Sequence, residues 1–349
     1  RTLLKHPDLF RRDPGPITGK SLARRFWWMP AFVKPLLDTM IVQDDPEHRR
    51  QRKLVDMAFA RSNIEALRPQ IETLANRLLD HMPRTGEVDL AATYSRTLPF
   101  LTICTLLGIP DDMHARLLRR IAPLSHATNA AKATYAVLRL HGVLRDFRAL
   151  FRDPPAEGLI ADLTQVETED GKLTEDDLLS LTLLLFLAGH ETTVHLINNA
   201  IVAMASDDDL RAHFAASAET RPLMVEEFLR HFSPVMMTKA MFVAEDTDIL
   251  GGRLKRGDMV AALLIAANHD PARFDAPEAL HPDRRPNAHL AFGFGPHICL
   301  GMQLARIEAQ VALDRLFARH PDLQLAKPAG WAQRPGLRAP ARVIARLTP

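Results

Sequence analysis

The amino-acid sequence predicts a mainly helical protein with small β-sheets, built around one long central helix. Through the first two thirds of the chain, apolar residues recur at spacings of three and four, which is typical of amphipathic helices. One such pattern continues without a break over residues 174–205, much longer than an average helix. Clear alternation of apolar and polar residues, the pattern of a strand, begins only after about residue 240. These observations argue against a doubly wound α/β sheet.

Three amphipathic helices are predicted in the first third of the chain, at residues 46–59, 64–81 and 98–107. The third is expected to end at Gly108 and Pro110, because glycine readily takes a positive φ and proline cannot continue a helix. Another helix is predicted to begin directly after that proline.

The long helix has a recognisable start. Asp170-Gly171 is a turn sequence, and Thr174 can cap the helix with Asp177 three residues later, a variant of the capping box. If the helix continues to about Ala205, it extends on the order of 45 Å at 1.5 Å per residue. A helix of this length is expected to organise the core.

The last third of the chain mixes short strands with coil. Strands are predicted at residues 242–243, 248–254 and 259–262, followed by proline-rich coil over residues 270–286. A glycine-rich loop comes next, and a final amphipathic helix is predicted over residues 302–317.

Composition restricts the classes of function. The 349 residues are 47% hydrophobic and contain no internal repeat, so we expect a single domain over residues 1–349 with a large core. A net charge of +2 gives no strong field for nucleic acid or an anionic membrane. Only two cysteines occur, Cys104 and Cys299, which suits a reducing cytoplasm; Cys104 lies on an apolar helix and is interpreted as core. Residues 178–189 are apolar but too short to span a bilayer. We therefore expect a cytoplasmic protein that binds neither nucleic acid nor membrane.

Cys299 lies in an unusual setting. Residues 292–301 read Phe-Gly-Phe-Gly-Pro-His-Ile-Cys-Leu-Gly and come directly before the last predicted helix. Backbone N–H groups at a helix N-terminus favour a thiolate over a thiol, and a thiolate can bind iron. The glycines allow a flat cofactor to approach the backbone, and Phe292 can keep water from the sulfur. A lone cysteine in an arbitrary loop is more often an inert buried residue.

This segment resembles the haem-binding signature of the cytochrome P450 family, Phe-Gly-x-Gly-x-His-x-Cys-x-Gly, at all six specified positions. The resemblance implies a haem b cofactor with Cys299 as the axial iron ligand. It also places Phe292, Gly293 and Gly301 beside the haem and His297 on a haem propionate. The implied fold is the cytochrome P450 fold, a helical bundle around a long central helix with small β-sheets.

A second motif lies within the long helix, where residues 188–193 read Ala-Gly-His-Glu-Thr-Thr and resemble the family's Ala-Gly-x-Asp/Glu-Thr-Thr. Ala188 and Gly189 are interpreted as small residues that leave room for dioxygen, since a glycine in mid-helix costs roughly 1 kcal/mol. The resemblance implies that Glu191 relays protons from solvent and that Thr192 donates a hydrogen bond during oxygen cleavage. The alternative is that Thr192 bonds only to the helix backbone and Glu191 is a solvated carboxylate.

The neighbouring histidines of this helix are not assigned to iron. His190 and His195 are interpreted as packing or solvent-exposed residues.

Cations suited to the haem propionates occur earlier in the chain. His48 and Arg52 are four residues apart on one helix face and resemble the family's His-x-x-x-Arg segment. Many family members have a further propionate-binding arginine after the Ser-Pro-Val turn at residues 233–235. No arginine stands there in this chain, and Lys239 is considered as a substitute.

Glu227 and Arg230 match the family's Glu-x-x-Arg motif, which implies a structural role behind the haem. A surface pair is the ordinary explanation for such spacing taken alone. The family completes the pair with a third basic residue, for which Arg284 and Arg285 are both candidates.

The implied activity is a monooxygenase reaction that inserts one atom of O2 into a hydrophobic organic substrate, as in hydroxylation or epoxidation in secondary metabolism. No flavin or iron–sulfur motif occurs among these residues, so a ferredoxin and a ferredoxin reductase are the expected electron donors. A basic patch of Arg49, Arg50 and Arg306 is predicted to attract the donor. A peroxide-driven haem oxygenase and a non-catalytic haem protein remain alternatives.

The substrate pocket is predicted from apolar side chains, each of which could equally belong to the core. A lid is expected at residues 14–37. The resemblance runs from about residue 40 to the C-terminus, so this chain is expected either to lack a segment that precedes residue 1 in typical members or to begin after a disordered part. The predicted pocket residues are Trp27, Trp28, Leu184, Leu187, Val235 and Met236, with Phe26, Met29 and Phe32 beside the tryptophans.

Overall fold

A computed structural model describes residues 1–19, 37, 39–126, 130–168, 171–249, 251–331 and 336–347. Helices dominate these residues, and the strands are short. The described α-helices are α1 (Thr2–Lys5), α2 (Gly15–Thr18), α3 (Glu47–Asp56), α4 (Arg61–Ala66), α5 (Arg68–Asp80), α6 (Thr97–Leu107), α7 (Asp111–Ile121), α8 (Ala130–Arg152), α9 (Leu159–Gln165), α10 (Glu175–Ala205), α11 (Asp208–Ala216), α12 (Arg221–Phe232), α13 (Leu264–Asn268) and α14 (Met302–Arg319).

The described strands are β1 (Phe10–Arg11), β2 (Gly86–Asp89), β3 (Glu167–Thr168), β4 (Gly171–Lys172), β5 (Met241–Val243), β6 (Thr247–Ile249), β7 (Gly252–Leu254), β8 (Met259–Val260), β9 (Gln324–Leu325) and β10 (Ile344–Leu347). They pair antiparallel into two three-stranded sheets, β1-β5-β8 and β2-β10-β9, and two hairpins, β3-β4 and β6-β7.

The central helix α10 forms as the sequence predicts. Thr174 accepts a hydrogen bond from the Asp177 N–H at 3.1 Å, and the Asp177 carboxylate accepts one from the Thr174 N–H at 3.1 Å. This reciprocal capping box satisfies two backbone donors at the helix start, and acidic residues in the first turn suit its positive end. α10 then packs against α6, α8, α12 and α14. The helix therefore organises the core.

α10 is long and apolar enough to cross a membrane, but 67% of its most apolar window is buried inside the protein. The apolar run of residues 178–189 is only part of this helix, and most of its residues are buried, as expected for a helix in the core. Its burial against four other helices is typical of the core helix of a folded domain.

Two differences from the predicted elements have simple causes. The helix predicted over residues 64–81 is divided into α4 and α5, because Pro69 lacks a backbone N–H and lies in the first turn of a new helix. Strands β1 and β2 were not predicted, since the first part of the chain was expected to be mostly helix. β1 has two residues and pairs with β5 through Phe10 and Val243, a partner far away in the sequence.

Most buried apolar residues form one cluster around α10, which includes Cys104 at 0% exposure. The interpretation of Cys104 as a core residue is therefore confirmed. A smaller cluster joins the β1-β5-β8 sheet to the coil before α14; its buried members are Leu4, Phe10, Met241, Val243, Leu264 and Leu290.

Candidate active site

The loop that precedes α14 carries Cys299 and is shaped by glycines. Gly293 and Gly295 have φ values of +74° and +79°, a left-handed conformation that other residues rarely adopt. A Cβ on Gly295 would also lie 2.3 Å from the backbone oxygen of Leu4. The Cys299 N–H donates to the carbonyl oxygen of Phe292 at 2.9 Å, which closes the loop on itself. The local sequence thus holds the cysteine in a tight turn.

The Cys299 thiol lies just before α14, exposed on one side and enclosed by protein on the others. That enclosure raises the pKa of the thiol, although the Gly301 N–H and the charges of Arg52 and Arg306 act in the opposite direction. The N–H at the helix start thus favours the thiolate, as expected from the sequence, while burial favours the thiol. A bound metal ion deprotonates a coordinating thiol outright.

One strip on α10 is only partly covered by other parts of the protein. It is formed by Leu184, Leu187, Ala188, Glu191 and Thr192, which share a helix face because they are three or four residues apart. Ala188 is exposed and the other four are half-buried, whereas the opposite face is buried in the core. The strip therefore brings together both predicted catalytic residues, two predicted pocket residues and Ala188, one of the two predicted small residues.

Gly189 also lies close to a neighbouring helix. A Cβ on Gly189 would lie 3.1 Å from the Ile103 side chain of α6. Its missing side chain thus allows close packing of two helices. Ala188 supplies the small side chain on the strip.

The polar residues of the strip are each held by a local bond. Thr192 Oγ1 donates to the carbonyl oxygen of Ala188 at 2.8 Å, the backbone contact considered as an alternative. Glu191 Oε1 lies 3.2 Å from Nε2 of His195, one helical turn later. The Glu191 side chain is 22% exposed and that of His195 is 2% exposed, so the pair connects solvent with the interior. His195 packs inside the protein, as predicted.

His190 is also an interior residue. Its Nε2 lies 3.1 Å from the carbonyl oxygen of Arg96, and burial lowers its pKa to about 4. It is therefore neutral at pH 7, which fits its interpretation as a packing residue.

A buried carboxyl group behind the strip was not predicted. Glu308 of α14 is 1% exposed, and burial raises its pKa to about 8, although the hydroxyls of Thr193 and Thr102 favour its charged form. The group is thus mostly protonated at pH 7 and lies against the residue that follows Thr192. Its position among the apolar residues of a predicted amphipathic helix was the available clue.

The three predicted propionate ligands come together on one side of the Cys299 loop. The rings of His48 and His297 lie 4.1 Å apart between centroids. Arg52 donates from Nη1 to the carbonyl oxygen of Ile298 at 2.8 Å, and His48 Nδ1 lies 3.5 Å from Asp45 Oδ1. Burial lowers the pKa of His48. We call His48, Arg52 and His297 the cation cluster.

Arg12 contacts Lys239, the residue considered as a substitute for the missing arginine. Burial lowers the pKa of His297 to about 3, and the charges of His48, Arg12 and Arg52 lower it as well. Arg12 is 7% exposed and donates from Nη1 to the backbone oxygen of Lys239 at 2.6 Å. The Lys239 side chain is exposed, so the contribution of this residue is its carbonyl oxygen.

Glu227 and Arg230 form a buried ion pair, with side chains 1% and 0% exposed. The guanidinium donates to both carboxylate oxygens, at 2.7 and 2.8 Å. Arg284 donates from Nε to the same carboxylate at 3.1 Å, so it is the third member that the sequence left open between Arg284 and Arg285. The explanation as a surface pair is excluded.

The predicted basic patch is largely neutralised. Arg49 pairs with Asp45 at 2.6 Å, and Arg50 pairs with Glu47 at 2.6 Å and Asp177 at 3.1 Å. Arg49 is still 71% exposed.

Arg306 is engaged in the site itself. It donates two hydrogen bonds to Glu226, at 2.7 and 2.8 Å, and lies over the Phe292 ring at 4.8 Å. Burial alone would raise the pKa of Glu226, but the bonds from Arg306 and His289 lower it to about 2. Arg306 thus positions the Phe292 ring, and its charge is balanced.

Two of the remaining predicted pocket residues are described. Val235 and Met236 are half-buried and tied to the C-terminal coil: Val235 bridges to Leu337, and the Met236 N–H donates to the Gly336 oxygen at 2.8 Å. Most of the predicted lid lies outside the described residues, together with Phe26, Trp27, Trp28, Met29 and Phe32.

The fold and these groups together define a haem-thiolate protein. A flat iron macrocycle with two carboxylates needs a sulfur ligand on one face, small or apolar side chains on the other, and cations at its edge. Cys299, the strip on α10 and the cation cluster supply these three kinds of group, so the donor set fits a haem.

Comparison with known proteins identifies the family. The family described as Cytochrome P450 matches residues 222–320. The vitamin D(3) 25-hydroxylase of Pseudonocardia autotrophica is 38% identical over 299 residues, which cover 85% of this chain and 73% of the relative. The mycinamicin IV hydroxylase/epoxidase of Micromonospora griseorubida is 36% identical over 319 residues, covering 89% and 79%. The crystal structure of myxobacterial cytochrome P450 CYP267B1 in complex with myristic acid superposes with a TM-score of 0.90 at 33% identity, covering 100% of this chain and 88% of that one.

The chain therefore belongs to the cytochrome P450 family. It has the family's fold, uses haem as its cofactor and is a haem-dependent monooxygenase.

Proposed function

We propose that the haem iron is bound by Cys299 and that Glu191 and Thr192 handle the protons of the monooxygenase reaction. Haem in this site supplies the iron at which dioxygen is activated, so that one oxygen atom enters the substrate and the other leaves as water. The observation that carries the proposal is the half-open strip in the middle of the buried helix α10. Both polar residues lie there, beside apolar side chains that suit an organic substrate.

Proton supply is assigned to the side chains of the strip. The Glu191 carboxylate is partly solvated, so it can exchange protons with water, and His195 orients it from one turn away. The Thr192 hydroxyl now donates to the Ala188 carbonyl oxygen. Rotation about χ1 releases that proton toward the open side of the strip, where a hydroxyl can donate to one group and accept from another.

The remaining residues orient the cofactor and exclude water. His297 and His48 carry lowered pKa values, so at pH 7 they act as neutral hydrogen-bond donors, while Arg52 supplies a permanent charge. Phe292 is held by Arg306, and in this proposal its ring keeps water from the sulfur. In this proposal Leu184, Leu187, Val235 and Met236 contact a hydrophobic substrate.

A ferredoxin and a ferredoxin reductase are the proposed electron donors, and the cytoplasm is the proposed location. α3 contacts the Cys299 loop through Arg52, and its exposed Lys53 offers positive charge to an acidic partner. We further propose that residues 1–349 work as one catalytic domain without nucleic acid or membrane partners.

The first test is the absorption spectrum of the purified protein, reduced and saturated with carbon monoxide. The wild type should give the red-shifted Soret band of a thiolate-ligated carbonyl, and Cys299→Ser should lose it. Cys104→Ser is the matched control, because Cys104 is buried in the core, and it should retain the band. A band that persists in Cys299→Ser would contradict the ligand assignment.

Turnover then separates the proposed reaction from its alternatives. Product should form with NAD(P)H, ferredoxin and reductase. Product with hydrogen peroxide alone would indicate a peroxide-driven oxygenase. A thiolate spectrum without any substrate-induced spin shift or product would indicate a haem carrier.

A further inference from the structure

Arg12 is held in place by backbone contacts at the start of the chain. It follows β1, whose Arg11 pairs with Phe242 of β5. The backbone N–H groups of Arg12 and Asp13 donate to the two oxygens of the Asp44 carboxylate, each at 2.9 Å. The main chain at Arg12 is therefore anchored to both the β1-β5-β8 sheet and the segment that leads into α3.

Arg12 is buried and is tied to the cation cluster through Asp44. Arg12 is 7% exposed, and Asp44, whose carboxylate accepts the Arg12 N–H, also accepts the His48 N–H at its backbone oxygen, at 3.0 Å. Among the described residues, the Arg12 guanidinium donates one hydrogen bond, from Nη1 to the backbone oxygen of Lys239 at 2.6 Å. A guanidinium has five N–H donors, and burying its charge is costly unless an anion and further acceptors face it.

Asp44 lowers that cost only in part. Desolvation lowers the pKa of Arg12, while the Asp44 charge raises it, and the net shift is downward. The Asp44 oxygens already accept the two backbone N–H groups. In the part of the chain that the structure describes, the Arg12 guanidinium donates no hydrogen bond to Asp44, so several of its N–H donors are open to a carboxylate from a ligand.

We propose that Arg12 is a haem-propionate ligand, acting with His48, Arg52 and His297 from a segment that sequence motifs do not mark. The proposal rests on the haem site of the proposed function. Its chemistry is that of a fork of N–H donors facing a carboxylate, an arrangement that allows two parallel charge-assisted hydrogen bonds. Arg12 thereby takes the role of the missing propionate-binding arginine, for which Lys239 was considered as a substitute.

The test is the rate at which haem leaves the protein for an excess of apomyoglobin. Arg12→Gln should release haem b about ten-fold faster than the wild type or more, because charge-assisted hydrogen bonds are lost. Arg11→Gln is the matched control, since Arg11 is the neighbouring residue, half-exposed and bonded from Nε to the Asp8 oxygen at 3.5 Å. It should release haem at the wild-type rate.

Haem dimethyl ester separates a ligand from a merely structural residue. The ester carries no propionate charge, so Arg12→Gln and the wild type should release it at similar rates. Faster release of the ester as well would mean that Arg12 only supports the fold through Lys239, and the proposal would fail. Equal release of haem b by the variant and the wild type would also overturn it.

Arg12→Lys covers the case in which Arg12→Gln does not fold. Lysine keeps the charge without the fork, so release of haem b should be a few-fold faster and release of the ester unchanged; equal rates for haem b would refute the proposal. A wild-type protein that binds no haem at all would instead overturn the proposed function.

Discussion

Replacing Glu227 by glutamine should destabilise the protein more than any surface change. The Glu227 carboxylate is 1% exposed and accepts hydrogen bonds from Arg230 at 2.7 and 2.8 Å and from Arg284 at 3.1 Å. The His281 N–H donates to it at 3.0 Å and the Asn287 amide at 3.1 Å. One carboxylate therefore balances two guanidinium groups and satisfies two further donors.

The expected loss of stability follows from the charges that the substitution leaves unpaired. A glutamine side chain keeps one acceptor oxygen but no charge, so the guanidinium groups of Arg230 and Arg284, 0% and 8% exposed, lose their counter-ion. Removing one partner of a buried ion pair costs about 3–5 kcal/mol. That is a large part of the ~5–15 kcal/mol that stabilises a typical domain.

The assay is urea unfolding followed by circular dichroism at pH 7, with Glu226→Gln as the control. Glu226 is the preceding residue on α12 and pairs with Arg306, but its side chain is 25% exposed, so solvent compensates for part of the loss. The free energy of unfolding should fall by about 3 kcal/mol or more for Glu227→Gln and by clearly less for Glu226→Gln. A loss below about 1 kcal/mol for Glu227→Gln would refute the view that the network is an obligatory charge balance.

The same network predicts a pH dependence. The pKa of Glu227 in the folded protein lies below its ordinary value of 4.5: burial would raise it, but Arg230, the His281 N–H and Arg284 together lower it. A carboxyl group with a lowered folded pKa adds stability above its unfolded pKa, and this is lost as the pH falls through the folded value. The stability gap between the wild type and Glu227→Gln should therefore narrow below about pH 4.

Two further changes test the strip and the carboxyl group behind it. Thr192→Ala should retain the haem spectrum but convert roughly ten-fold less of the consumed NAD(P)H into product, with peroxide formed instead. Thr192→Ser keeps the hydroxyl, so its product yield per NAD(P)H should stay close to that of the wild type. An unchanged yield in Thr192→Ala would count against proton handling by Thr192. Glu308, with its pKa raised to about 8, should make the wild type lose stability as the pH rises from 4.5 to 8, because the unfolded chain ionises first. Glu308→Gln should remove that pH dependence, measured by thermal unfolding from pH 5 to 8. Identical pH profiles for the wild type and Glu308→Gln would show that the Glu308 carboxyl group ionises freely.

The helices could be predicted because their causes are local. The capping box of Thr174 and Asp177 and the apolar periodicity behind it are properties of neighbouring residues, and α10 begins where they indicate. The strands of the first half could not be predicted in this way. β2 is a strand because Val88 pairs with Ala345 of β10, and no property of residues 86–89 reveals that distant partner.

The residues of the site show the same contrast between local and distant causes. Cys299, Glu191 and Thr192 lie in motifs whose spacing identifies them, and the structure brings the last two onto one strip with Ala188. Arg12 and Glu308 lie in no such motif, because their surroundings come from segments far away in the sequence. The close approach of Gly189 to Ile103 on a neighbouring helix could not be predicted either, because the two residues are far apart in the sequence.

Two adjacent residues of α12 connect the stability of the fold to the geometry of the haem site. The Glu227 side chain holds the coil before the Cys299 loop through Arg284 and Asn287. Glu226 holds Arg306 at the start of α14, and Arg306 lies over the Phe292 ring at the beginning of the loop. Since both ends of the loop depend on one helix, loss of either carboxylate should disturb haem binding even where the chain remains folded. The two substitutions should have different effects. Glu227→Gln should lower the amount of folded holoprotein. Glu226→Gln should leave the fold intact but free the Phe292 ring, so that water gains access to the sulfur.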